Sequence, residues 1–333
     1  MKLATRSQAD QERTAANHVA ARSAGRPRSS RSRRLALRSA GFLIPAAAVY
    51  SVFLVYPLLK SLIGSLFEWK GFRTVGFAGL ENFERLFQGR NLELLTAASA
   101  HNVMWFFAIL LVQNILGLVI AYVLFLRGPR YSFFQAWFFF PAILSPVLVG
   151  ALWKLLLAPG GPVEWLLHST GLSQEPVTVL GDSNWALSIL ILVDIWNWIG
   201  LPILVFMAGL HAIDPGIFEA ARLDGASASR ALWEVAVPLL IPSVSTLTIL
   251  TFINSFSQFD LVYIMQGGQA GPNGATDTLV TLFYRLAFGA TGSVGINDVG
   301  LALALGTLLF LFLVAVSLIS LRYFNRRSAL TEG

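Results

Sequence analysis

Two groups of polar side chains stand inside otherwise apolar stretches of the sequence: Asp194, Trp196, Asn197 and Trp198, and then Asn254, Ser255, Ser257, Gln258 and Asp260. Carboxylate, amide, hydroxyl and indole together suit a polyhydroxyl solute. Each hydroxyl needs a donor and an acceptor, and an aromatic face covers the apolar side of a sugar ring. Asn254 and Gln258 are four residues apart, so on a helix they share one face. No cluster of Arg or Lys accompanies them, so a free phosphate or carboxylate would find no counter-charge. The alternative is that these groups bond one another or a neighbouring subunit across helices. For Asp194 a structural pair or a helix-end position is as natural as solute contact. Asp260 falls near the end of its apolar run, where it would shape a gate or loop. Gln113 and Asn114 read as packing residues, and Trp105, Trp137, Trp153, Trp165 and Trp185 as interfacial or bundle residues.

Other chemistries lack their residues. There is no cysteine, which excludes disulfides, thiolate metal sites and cysteine nucleophiles. The histidines His18, His101, His168 and His211 show no metal-ligand spacing, so no metal site and no catalytic residues are assigned. A phosphate-cradling GxxxxGK[ST] loop needs a lysine after glycine, and none of Lys2, Lys60, Lys70 and Lys154 follows one. The chain therefore binds no cofactor of its own, and any ATP with its magnesium belongs to a partner.

The elements that must hold the polar groups follow from composition. Of 333 residues, 55% are hydrophobic and 13% charged, with a mean hydropathy of +0.65. That is about half the charge of a typical soluble domain, which points to lipid as the solvent. A hydrocarbon core of about 30 Å takes roughly 20 helical residues. Six such stretches occur: Gly41–Leu59, Asn102–Leu126, Tyr131–Trp153, Ser183–Leu210 (interrupted by Asp194), Val235–Phe259 and Val299–Leu321. Lipid leaves no partner for free backbone groups, so each is expected to be a helix, kinked where Pro45, Pro57, Pro141, Pro146, Pro202 or Pro242 intervenes. The expected fold is all-α and membrane-embedded, with six transmembrane helices. A cleaved signal peptide is not favoured, because a 38-residue leader before the first stretch is too long and five more stretches follow.

The Lys/Arg distribution orients the spans. With the N-terminus inside, the inner segments hold seventeen and the outer loops five: Lys70, Arg73, Arg85, Arg90 and Arg285. Lys60 and Lys154 lie near outer helix ends, where their stems reach the interface. Both termini are thus expected in the cytoplasm. The net charge of +6 is uneven: residues 1–38 carry +8, while residues 39–333, the six-helix domain, carry −2. Residues 1–38, rich in Arg, Ser and Ala, are expected to be a disordered cytoplasmic tail beside anionic lipid headgroups. No folded basic surface accompanies it, so nucleic acid is not an expected partner.

Between the fourth and fifth spans, residues 211–238 form the most informative segment. Asp214 is placed to cap a short helix with Pro215 at its first position. Gly225 can end that helix, and Ser227 can cap a second one carrying Leu232, Trp233 and Val235 into Pro238. This is a helix-turn-helix elbow. Ala220 and Ala221 are small enough for another protein's backbone to come close; the plainer reading is a structured connection with no partner.

The spacing Glu219-Ala220-Ala221, three residues, Gly225, nine residues, Val235-Ala236-Val237-Pro238 resembles the EAA loop of permease subunits of binding-protein-dependent ABC importers. Val235 and Val237 replace the usual Ile and Leu. Further stretches resemble the carbohydrate-importing branch that includes the maltose, glycerol-phosphate and multiple-sugar permeases. They are Phe42-Leu43-Ile44-Pro45 with Tyr56-Pro57, Gly79-Leu80-Glu81-Asn82-Phe83, Phe140-Pro141 with Ser145-Pro146, and Phe259-Asp260-Leu261-Val262-Tyr263 followed by Gly267-Gly268 and Asp277-Thr278-Leu279. The family's contiguous Gly-Gly-Gly-Pro is interrupted here by Gln269 and Ala270. The resemblance spans about residue 40 to the end. It implies that Glu219, Ala220, Ala221, Leu223, Gly225, Val235 and Pro238 couple the chain to a cytoplasmic ATPase. It also implies a complex with a second homologous permease subunit, two ATPase subunits and an extracellular or periplasmic binding protein that delivers a sugar-like substrate. The setting would be a bacterial-type inner membrane. Asn254, Gln258, Asp260, Asp194, Trp196 and Asn197 are then the candidates for the substrate pathway.

Two other classes compete. A membrane-embedded lipid-linked glycosyl or polyprenyl transferase would use Asp194 or Asp260, but such enzymes usually pair acidic residues for metal-bound pyrophosphate, and here the acids are single. A self-sufficient secondary transporter would need dimerisation of six spans without internal repeat, and would leave the capped elbow unexplained.

Overall fold

The computed structural model describes residues 43–128, 132–171, 178–289 and 298–331; for residue 132 and residues 323–331 it describes the backbone alone. The expected tail, residues 1–38, the short basic connection at 129–131 and part of the outer segment before residue 298 lie outside the described residues. The chain divides into two units, residues 1–60 and 61–333. The first contributes most of helix α1 (Leu43–Gly64), apolar and almost wholly exposed. Pro57 has no N–H to give to the carbonyl of Phe53, and α1 widens to a π-helical turn over Ser51–Val55 where that bond would close.

In the second unit a hairpin, β1 (Phe67–Lys70) and β2 (Arg73–Phe77), pairs Phe67 with Phe77 and Lys70 with Arg73 across a turn at Gly71, with a register shift between Glu68 and Trp69. The all-α expectation missed this small sheet. Its strands are too short to stand out from their polar surroundings. Helix α2 (Glu81–Leu86) follows, then α3 (Gly89–Arg127), which runs 39 residues with a π-helical turn at Ile109–Gln113. The apolar stretch starting at Asn102 is only the latter part of α3, because helix and lipid-crossing length need not coincide.

The third expected span is broken into α4 (Ser132–Ile143) and α5 (Pro146–Leu156), bent by 90°. Pro146 bars Ser145 from the helical region, and Ser145 instead caps α5, its Oγ accepting from Val147 N at 3.3 Å. At 1.5 Å per residue neither piece reaches about 30 Å alone. After α6 (Pro162–Ser169), the fourth span is α7 (Ala186–Trp198) and α8 (Gly200–Ala212), bent by 44°. The elbow is α9 (Pro215–Leu223) and α10 (Ala228–Leu239), and a 74° bend at Leu240 leads into α11 (Ile241–Phe256). The apolar run from 235 is thus bent, and Val235 and Pro238, expected both in the elbow and at the start of the fifth span, lie in α10 before the bend. Helices α12 (Asp260–Gln266), α13 (Leu279–Phe288) and α14 (Val299–Thr331) complete the fold. Among the described residues, α1, α3 and α14 contain single spans long and apolar enough to cross a membrane, and counting each bent pair as one span brings the number to six.

Among the described residues three apolar clusters form the interior. One surrounds Trp105, Leu190 and Val262, a second joins α3 and α8 to the elbow through Ile203, Phe206 and Phe218, and a third packs α2, α13 and α14 through Leu86, Leu282 and Leu305. Small residues set the helix approaches: a Cβ on Gly117 would lie 2.8 Å from Pro202, and one on Gly200 2.6 Å from the Cα of Phe139.

Candidate functional site

The elbow is built as its capping residues dictate. Asp214 accepts from Gly216 N at 2.8 Å, with Pro215 at the first helical position. At the other end of α9, Gly225 takes φ +80°, the N–H of Ala226 donates to Ala221 O at 2.9 Å and that of Gly225 to Arg222 O at 3.0 Å. That pair of bonds is a Schellman motif, which satisfies carbonyls a helix end leaves free. Ser227 Oγ accepts from Arg230 N at 3.3 Å and starts α10, whose π-helical turn at Ala231–Ala236 precedes Pro238.

One face of this unit is anchored. Phe218, Leu232 and Ala236 are buried against Phe206, Leu210 and Leu240. The residues expected to couple lie on the other side: Glu219, Ala220, Gly225 and Pro238 are exposed, Ala221 and Val235 half-buried, and Leu223 is 89% exposed. Among the described residues Glu219 has no ion-pair partner. An open groove of about 240 Å³ lies between α3 and α9, lined by Tyr122, Phe125, Phe218 and Arg222, with the exposed Glu219 also on its wall. The elbow is thus a bracket fixed from within that offers Ala220 and Leu223 outward, with Glu219 exposed at the groove beside α3.

The second site joins α3, α7, the last turn of α11 and the turn after it; α11 ends at Phe256, so Gln258 does not share a helix face with Asn254 as its spacing suggested, although the two are bonded. Asp194 is buried, and its Oδ2 accepts from the indole N–H of Trp105 at 2.7 Å and from Gln258 Nε2 at 3.1 Å. Gln258 Nε2 also donates to Asn254 Oδ1 at 3.3 Å. Asp194, Gln258 and Asn254 are therefore one connected group, with Gln258 buried and Asn254 exposed. The other pathway candidates lie apart from it. Asn197 is buried, and turning its amide over by exchanging oxygen and nitrogen lets it donate to Pro141 O at 2.8 Å and accept from the Trp198 indole at 3.1 Å. Trp196 is partly exposed and meets Trp153 edge-on at 5.5 Å. Asp260 is exposed in the first turn of α12, beyond the end of the fifth span, where the helix N-terminus favours a carboxylate. Gln113 donates to Trp198 O at 3.1 Å and Asn114 to Thr251 at 3.3 Å, both helix-packing bonds.

Several polar ties have no local signature in the sequence. Asn102, fully buried, donates to Ser255 O at 2.6 Å and accepts from Leu279 N at 2.9 Å, tying α3 to α11 and α13. Asn82, within the Gly79–Phe83 stretch, donates to Ser65 O and Phe67 O, each at 2.9 Å. Asp277 pairs with Arg285 and accepts from Thr281 Oγ1 at 2.6 Å, while its carbonyl bonds His101 at 2.7 Å. Burial pushes the Asp277 carboxyl up from its ordinary range, against the lowering effect of Arg285. Of the tryptophans read as interfacial or bundle residues, Trp105 bonds the candidate Asp194 and Trp153 packs on the candidate Trp196.

Residues 113–329 match the family described as binding-protein-dependent transport system inner membrane component. The multiple sugar-binding transport system permease protein of Streptococcus mutans is 30% identical over 283 residues, covering 84% of this chain and 93% of that protein. The lactose transport system permease protein of Rhizobium radiobacter is 32% identical over 248 residues, 74% of this chain and 82% of that one. In fold, the chain resembles a component of a bacterial ABC transporter that imports the acidic polysaccharide alginate, with a TM-score of 0.71 at 21% identity over 89% of this chain and 96% of the other.

Proposed function

Because the chain belongs to the family of binding-protein-dependent transport system inner membrane components, we propose that it is the membrane-spanning permease subunit of an ATP-driven importer for a sugar or sugar-like solute. It forms half of the pathway beside a second, homologous permease. Two cytoplasmic ATPase subunits hold the ATP and magnesium, and an external binding protein delivers the solute. The observation that carries this reading is the elbow, internally capped at both helices, anchored by Phe218 and presenting Leu223 and Glu219 outward. Docked in a cleft on the ATPase, such a bracket moves with it. The 74° bend into α11 carries that movement toward Asn254 and Gln258. The sugar class is supported by the names of the relatives and by the amide and hydroxyl chemistry of α11. On this reading both termini and the elbow face the cytoplasm of a bacterial-type cell, in keeping with the Lys/Arg distribution.

The test is co-purification. The detergent-solubilised complex is expected to retain an ATPase subunit, and Glu219→Lys and Gly225→Pro to lose it. Undiminished association with both variants rejects docking through the elbow. A transferase acting through Asp194 or Asp260 is not favoured: Asp194 spends an oxygen on Trp105 and Gln258, and among the described residues no group of acidic residues and histidines is placed to hold a metal ion.

A further inference from the structure

We propose that Asp194 is a positioning residue that fixes the direction of the Gln258 amide, so that the last turn of α11 offers a donor at 254 and the turn after it an acceptor at 258 to adjacent hydroxyls of the solute; this rests on the sugar reading above. The order of the bonds leaves one arrangement. An indole N–H can only donate, so Trp105, fully buried, requires an acceptor, and Asp194 Oδ2 supplies it at 2.7 Å. The same carboxylate oxygen then takes a second donor, Gln258 Nε2, at 3.1 Å. Turning the amide over would set Gln258 Oε1 against the carboxylate, two acceptors face to face.

With Nε2 inward, its other hydrogen serves Asn254 Oδ1 at 3.3 Å. Both hydrogens of the Gln258 amide are thereby used, and among the described residues Oε1 takes no bond and is not sealed inside. Asn254 is exposed and its oxygen is engaged, which leaves its NH₂ for the open side. A pair of neighbouring hydroxyls matches this pattern, one donating to Gln258 Oε1 and the other accepting from Asn254 Nδ2. An acceptor-only group such as a phosphate or carboxylate cannot satisfy Oε1, and Asp194 behind it adds like charge. Asp194 thus selects for a neutral polyol without touching it.

The test uses the full complex in proteoliposomes, with labelled lactose, maltose and trehalose as probes, and reads sugar moved per ATP hydrolysed. In Asp194→Asn, Oδ1 keeps Trp105 and the new NH₂ turns Gln258 over, presenting a donor where the solute needs an acceptor. The ratio is expected to fall about tenfold, the scale of one lost hydrogen bond, while ATP hydrolysis stimulated by the binding protein persists. Adding Gln258→Glu to Asp194→Asn restores an outward acceptor and is expected to bring most of the ratio back. A wild-type ratio in Asp194→Asn overturns the proposal, as does a fall that the double variant leaves uncorrected. If Asp194→Asn fails to assemble, Gln258→Leu carries the test: it removes the outward acceptor, a lowered ratio is expected, and an unchanged one overturns the proposal. Failure of the wild-type complex to move any of the three sugars overturns the sugar reading first and this inference with it.

Discussion

The ring of Phe218, in the first turn of the elbow, packs 5.4 Å from the ring of Phe125 near the end of the long helix α3. Phe218 is 8% exposed, whereas Leu223, five residues on in the same helix, is 89% exposed. The helix therefore has an anchored side and an offered side. Truncation of a buried Phe costs roughly 3–5 kcal/mol, less where neighbouring groups can fill the space. Phe218→Ala is expected to leave the ATPase bound through Leu223 and Glu219 but to loosen the bracket, so that ATP hydrolysis continues while uptake falls. Parallel ATPase and uptake assays check this; equal losses in both would mean that Phe218 does not transmit motion.

Gly225 stands in open space at φ +80°, so the only cost of a side chain there is conformational. The left-handed region costs an L-residue about 1–2 kcal/mol, less for Asn and more for a β-branched residue. Recovery of the ATPase on purification is expected to rank Gly225 above Gly225→Asn, then Gly225→Ala, then Gly225→Val. A flat series would show that the Schellman turn is not needed for docking.

Gly200 is constrained differently. A Cβ there would meet backbone, the Cα of Phe139 at 2.6 Å and the carbonyl of Phe138 at 2.7 Å, which cannot rotate away. A Cβ on Gly306 would meet the Phe283 ring at 3.1 Å, and a ring can shift. Overpacking costs about 1–3 kcal/mol, and Gly200→Ala is expected at the upper end with Gly306→Ala near the lower. Thermal unfolding of the two purified variants measures the difference, and equal midpoints would contradict the close approach of α4 and α8.

Asp277 and Arg285 give a pH dependence with a definite sign. Burial raises the Asp277 carboxyl, so its contribution to stability falls as pH climbs from the ordinary carboxylate range through the raised value, and Arg285 limits that loss. Arg285→Ala leaves the carboxylate buried with its counter-charge removed, at a cost of roughly 3 kcal/mol near neutral pH. Toward acid pH the carboxyl is neutral and bonded to Thr281, so the melting difference between wild type and Arg285→Ala is expected to shrink. A difference that stays constant from neutral to acid pH would contradict this.

The elbow was legible because its determinants are local. Asp214, Pro215, Gly225 and Ser227 act on backbone groups within a few residues, and each does in the structure what its chemistry requires. The span boundaries were less so: an apolar run such as 235–259 does not say that its first residues pack on the elbow and turn by 74° at Leu240. The ties made by Asn82 and Asn102 were invisible, since Asn102 meets Leu279 across 177 residues and nothing nearby in sequence marks that partner. Asp194 and Gln258 could be suspected singly from their cost in lipid. Their bond, and the role of Trp105 in setting it, exists only once three helices are brought together.

Docking of the ATPase on the offered side of α9 is most directly measured by site-specific cross-linking, which the cysteine-free chain makes clean. A single cysteine introduced by Leu223→Cys, labelled with a thiol-reactive benzophenone and irradiated in the assembled complex, is expected to join this chain to the ATPase subunit. The same label at Phe72→Cys, on the hairpin, should not. An active complex in which Leu223→Cys gives no ATPase adduct, or in which Phe72→Cys gives the same one, would contradict the account.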